Sequence, residues 1–147
     1  MTQLQLSLNP EEVVDALIDG VLAGLSGPWQ LWSNEMQLLR MLREHKGAEN
    51  PLQLNTIAIQ LGMSPRDIKS AVKSLVEDFK LPIGGSRQKP FGYFLIVSGE
   101  DLEAALRPLV HELQSIARRV KALTGEQRMA EIFNQARLAL ESEKRDA

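Results

Sequence analysis

The 147-residue sequence contains no cysteine, which excludes disulfides and thiolate metal sites. Histidine is nearly as scarce, with only His45 and His111. Each falls in a helical pattern beside one glutamate, Glu44 or Glu112. Sequence neighbours diverge on a helix instead of converging on a metal. Neither histidine stands in a motif with a candidate nucleophile, so no Ser/His/Asp arrangement follows. Gly84-Gly85-Ser86 lacks the Lys-Ser/Thr ending of a phosphate-binding loop and opens no helix. Enzyme activity and a cofactor are therefore not expected. No apolar run is long enough to span a bilayer and no signal peptide is evident, so a soluble cytoplasmic protein without a membrane partner is expected. No internal repeat, low-complexity segment or small-molecule pocket motif stands out.

What is present suits one compact domain with extensions, or one domain plus a dimerisation element. Apolar residues make up 44 % of the chain, enough for a core without covalent staples. The net charge of −2 is unevenly spread. From Met63 to Val97, Arg66, Lys69, Lys73, Lys80, Arg87 and Lys89 face only Asp67, Glu77 and Asp78, so this stretch is basic and the remainder acidic.

The stretch from Leu54 to Val97 organises the chain. Asn55 is a candidate cap for a short helix through Ala58 and Leu61. Gly62 supplies the tight bend, because a residue without Cβ reaches positive φ. Ser64 caps a second helix, with Pro65 at its first position and Asp67 completing a Ser-x-x-Asp pattern. Ile68, Val72, Leu75 and Phe79 recur at helical spacing, with Ala71 and Val76 at the edges of the stripe. Arg66, Lys69, Ser70 and Lys73 fall on the opposite side, and Glu77 lies along the same strip. Leu81-Pro82-Ile83 and Tyr93 to Val97 read as strands, separated by a Gly-framed loop holding Arg87 and Lys89.

Before this stretch, Met1 to Leu8 alternates weakly like a strand. Asn9 caps a helix with Pro10 at its first position and Val14, Leu17, Ile18, Val21 and Leu25 on one face. Gly27-Pro28 breaks it. Trp29 and Trp32 follow, read as lids over the core in preference to a ligand or partner surface. Asn34 with Gln37 opens a helix through Leu38, Leu39 and Leu42 towards Gly47 as its stop. Asn50 to Leu54 supplies a short strand. After Val97, Ser98 and Asp101 cap a helix carrying Leu102, Leu106, Leu109, Leu113, Ile116, Val120 and Leu123 as a heptad seam. The seam suits a coiled coil or a long packed helix, and Pro108 interrupts it, as a kink or a restart. Gly125 resets the chain for a last helix with Met129, Ile132, Phe133, Ala136 and Leu140 on one face. Glu141 to Ala147 is expected to fray.

Helix, strand, helix-turn-helix and a Gly-rich basic hairpin in this order resemble the winged helix-turn-helix family of bacterial and phage DNA-binding proteins, over residues 34–97. The combination says more about fold than about biological role. It implies a mainly α chain with a small β-hairpin (α+β), organised as an N-terminal helix and connection (1–33), a winged domain (34–97) and C-terminal helices (98–147) able to dimerise. The partner implied is double-stranded DNA, bound by a homodimer acting as a transcriptional regulator or phage DNA-binding protein. By the resemblance, the helix from Pro65 enters the major groove. Arg66, Lys69 and Ser70 reach base edges or flanking phosphates, and Lys73 stays on phosphate. Arg87 and Lys89 touch the backbone or the adjacent minor groove, and Thr56 is a further phosphate contact. Winged domains also serve as protein-interaction modules, and the acidic total, Glu77 and the amphipathic flanking helices speak for that second reading.

Overall fold

The computed structural model describes residues 9–24, 27, 31–86 and 91–146. Met1 to Leu8, Leu25, Pro28 and Trp29, all named above, lie outside the described residues. The chain divides into two compact units, one up to Arg107 and one from Pro108 onward.

In the first unit, α1 (Pro10–Leu22) starts as the sequence predicts: the Asn9 carboxamide oxygen accepts the Glu11 N–H at 3.0 Å. Val14, Ile18 and Val21 are buried, while Leu17, at the edge of the stripe, is exposed. Asp15 and Asp19 hold Arg43 and Lys46 beyond the next helix, with Lys46 Nζ 3.1 Å from Asp15. That helix, α2 (Ser33–Leu42), is capped at Trp32, two residues before Asn34. The Trp32 N–H donates to the Glu35 carboxylate at 3.0 Å, and the Trp32 side chain is 77 % exposed. Trp32 is thus a cap position with its ring in solvent, not a lid.

Leu38, Leu39 and Leu42 are fully buried, and α2 ends there, well before Gly47. The chain leaves the helix because β-pairing claims its next residues: the Leu95 N–H donates to the His45 carbonyl and Gly47 N–H to the Leu95 carbonyl, both at 2.8 Å. Strand β1 (Leu52–Gln53) then pairs antiparallel, Leu52 with Tyr93 and Gln53 with Gly92. Helix α3 (Leu54–Leu61) follows at once. Asn55 therefore sits inside the first turn and does not cap. Pairing of Gln53 moves the cap two residues earlier, from Asn55 to Gln53, and the Phe91 carbonyl takes the Leu54 N–H.

After α4 (Pro65–Glu77), strands β2 (Ile83–Ser86) and β3 (Gly92–Leu95) complete a three-stranded antiparallel sheet in the order β1-β3-β2. The helices and sheet in this order form a winged helix-turn-helix fold. Both strands are shifted towards the glycine-rich stretch relative to side-chain preference. Leu81, Pro82, Ile96 and Val97 fall outside them, and Gly84, Gly85 and Gly92 fall inside, because the glycines admit close neighbours. A Cβ on Gly92 would lie 2.2 Å from the Leu52 carbonyl oxygen. One on Gly84 would lie 2.7 Å from both Ala105 and the Phe94 ring. Pleating sends Ile83 and Leu95 into the core shared with α1 to α4, while Gly84 and Phe94 meet the first turns of α5 (Gly99–Thr124).

Asp101 fastens that helix. It is buried, accepts the Ala48 N–H at 2.9 Å and the Val97 N–H at 3.0 Å, and its own N–H donates to the Ser98 hydroxyl. Burial works against its ionisation, but these donors together outweigh it and hold the carboxyl below its ordinary range.

The second unit continues α5 through Pro108 without a restart; one missing bond to the Ala104 carbonyl does not end the helix. Gly125, at φ +92°, separates α5 from α6 (Glu126–Asp146). Met129, Ile132 and Phe133 are half-buried, and Ala136 and Leu140 are exposed. The expected fraying after Glu141 is not what is found: α6 extends to Asp146, with Arg137 paired to Glu141 at 2.9 Å.

Candidate nucleic-acid interface

The turn between α3 and α4 is set locally. Gly62 adopts φ 64°, and nothing lies within 4 Å of where its Cβ would be, so it is conformation and not crowding that favours glycine there. Met63 is buried and pins the turn to the core. The Ser64 hydroxyl accepts the Asp67 N–H at 3.1 Å, and Pro65 occupies the first helical position. Asp67 places negative charge at the positive end of the helix dipole.

Burial then fixes which side of α4 faces water. Ile68 and Leu75 are completely buried, Ala71, Val72 and Phe79 nearly so, and Val76 is half-buried. Arg66, Lys69, Ser70 and Lys73 are all exposed, within the first nine residues of α4. The structure therefore brings these four sequence-predicted residues onto one solvent strip. Glu77 is also on it: its carboxylate lies 4.0 Å from Lys73 Nζ, so a phosphate would compete with this acid for Lys73. Toward the N-terminus of α4, Asp67 is the one carboxylate beside the strip.

Thr56 is half-buried in the first turn of α3, whose N-terminus carries no side-chain cap. The Leu54 N–H is taken by the Phe91 carbonyl, but no side chain claims the Asn55 and Thr56 N–H groups, which a phosphate could take. Arg87 and Lys89 lie outside the described residues. The pairing of Ser86 with Gly92 brings the chain on either side of them into hairpin register. Sequence reading missed Lys80, which is exposed just past α4 with a left-handed backbone, φ 57°. Only its charge marked it, because that conformation is set by the Leu81 N–H closing on the Leu75 carbonyl at 3.1 Å.

Among the described residues, no group of three or more His, Asp or Glu side chains is arranged to hold a metal ion, and no helix is long and apolar enough to cross a membrane. His45 follows α2 instead of lying in it, with Nδ1 3.1 Å from the Asn50 carbonyl oxygen, and His111 is exposed.

No family model matches the sequence, and no curated protein matches it. Among solved structures, the chain is similar to the adhesin competence repressor (AdcR) from Streptococcus pyogenes, at 18 % sequence identity over 90 % of this chain and 96 % of that one, with a TM-score of 0.33. At that score the two backbones superpose too loosely for the likeness to bear on function.

Proposed function

We propose that this chain binds double-stranded DNA through α4 and the β2–β3 hairpin, as a transcriptional regulator or phage DNA-binding protein. The observation that carries the reading is the exposed strip of Arg66, Lys69, Ser70 and Lys73 on the N-terminal half of a helix whose opposite face is buried. Side chains there reach base edges when such a helix lies in the major groove. Lys73, Thr56 and, on the hairpin, Arg87 and Lys89 supply phosphate contacts, which fix register without reading sequence. Residues 34–97 make up the DNA-binding domain and 98–147 the dimerisation element. Leu102, Leu106, Leu109, Leu113 and Ile116 are all exposed along α5, a row of apolar side chains that a second copy would cover. A two-fold pair doubles the phosphate contacts of one module.

The test is binding to a random-sequence duplex pool at low salt, followed by a salt titration. The reading expects affinity to fall steeply as salt rises and selected duplexes to share a motif; salt-insensitive or absent binding overturns it. A protein-interaction role is the second reading, and Ile59 favours it: this residue of α3 is 82 % exposed, an apolar side chain that no phosphate contact uses.

A further inference from the structure

On α5, the residues Arg107, His111, Gln114, Arg118 and Lys121 follow one another at spacings of four, three, four and three. This is the rhythm of the apolar seam, and on a helix of 3.6 residues per turn it places the five on the side turned away from that seam. All five are exposed. The line runs for about 21 Å at 1.5 Å per residue. Glu100 and Glu103 precede it, and Glu112 projects to another side of the helix; no carboxylate falls on the line between Arg107 and Lys121.

Solvated helix faces ordinarily mix signs, so that cations find acids three or four residues away. The next helix does this: Arg128 pairs with Glu131 at 3.1 Å and Arg137 with Glu141 at 2.9 Å. On α5, among the described residues, Arg107, Arg118 and Lys121 make no ion pair. Lys121 lies in the last turn, where a cation complements the helix dipole, but Arg107 and Arg118 are mid-helix and have no such reason to be there.

We propose that this outer face of α5 is a second nucleic-acid surface, which grips the phosphate backbone without regard to base sequence. A straight row of unpaired cations matches the row of charges along a phosphodiester strand, and arginine matches phosphate geometry with its two-pronged donors. Gln114 adds a neutral donor to the row, and the His111 ring adds an N–H. This surface lies outside the helix-turn-helix and does not depend on α4 reading a sequence.

The experiment uses the full chain and a fluorescent duplex of random sequence. Replacing Arg107, Arg118 and Lys121 by glutamine should lower affinity equally for all duplexes and reduce the slope of log affinity against log salt by roughly 2.7, at about 0.9 for each phosphate no longer neutralised. The matched variant Arg107→Lys with Arg118→Lys should keep the slope, which separates loss of charge from loss of fold. Arg66→Ala with Lys69→Ala should instead reduce the preference between sequences. An unchanged slope in the glutamine variant, beside a reduced one in the α4 variant, overturns this proposal and leaves the α4 reading standing. Charge-dependent binding to anionic phosphatidylserine vesicles, with no duplex affinity in the parent, overturns it in favour of a lipid surface.

Discussion

Helices α4 and α5 carry the same kind of pattern, an apolar line on one side and a basic line on the other, and they end differently. In α4 the apolar line is spent on the chain itself: Ile68 and Leu75 are fully buried in the core that α1 to α4 share with the sheet. In α5 only Ala105 and Asp101 are buried, while Leu109 and Leu113 are each 56 % exposed. The pattern of a helix sets which residues share a side. How much of that side is covered depends on what else the chain folds against it. α4 is therefore a scaffolded helix with one free face, and α5 a helix whose apolar face is left exposed among the described residues.

Truncations should separate the two most sharply. Leu75→Ala should destabilise the fold by about 2–5 kcal/mol, through reduced burial and the cavity left behind. Leu113→Ala, measured by denaturant at a concentration where the chain is a monomer, should stay within about 0.5 kcal/mol of the parent. Equal losses at the two positions would mean that the α5 seam is packed within one chain.

A second way to probe the comparison is assembly. If a second copy covers α5, the parent sediments as a dimer at tens of micromolar concentration, and Leu113→Lys with Ile116→Lys yields a monomer, because two cations cannot sit unpaired in an apolar interface. A parent that sediments as a monomer removes the dimer.

Where α5 joins the winged domain, the contrast becomes one of pH. The folded-state pKa of Asp101 is depressed, so the stability it contributes is complete above the ordinary carboxylate range and is lost as pH falls through the folded value. Asp101→Asn keeps one acceptor but turns an amide towards the Ala48 or Val97 N–H. It should destabilise by about 1–3 kcal/mol at neutral pH. It should also flatten the acid limb of the stability profile; an acid limb identical to the parent's would show that Asp101 is not its source.

The smallest expected effect on stability lies on the free face of α4. Arg66→Ala with Lys69→Ala should leave the melting free energy within about 0.5 kcal/mol, since neither side chain is buried. The same pair should weaken duplex binding by about 1–3 kcal/mol for each bidentate base contact removed. Unchanged duplex affinity would move the binding surface away from α4.

The sequence by itself determined the features that close within a few residues. Asn9, Ser64 and Ser98 each make the capping bond their spacing implies, Gly62 takes the left-handed turn, and the stripes of α4 and α5 are where helical spacing puts them. The candidate strip was legible for the same reason, since one helix positions Arg66, Lys69, Ser70 and Lys73 whatever surrounds it. Tertiary structure alone decided where elements end and what covers them. Strand β3, distant in sequence, draws Lys46 and Leu52 into pairing, which shortens α2 and starts α3 before Asn55 could cap it. Gly84 and Gly92 lie in strands because Ala105 and the Leu52 carbonyl come too close for a side chain, and the Trp32 ring faces solvent because its backbone, not its ring, has the structural task. Hydrogen bonds between near neighbours can be read from spacing, whereas pairing and burial depend on residues that only folding brings together.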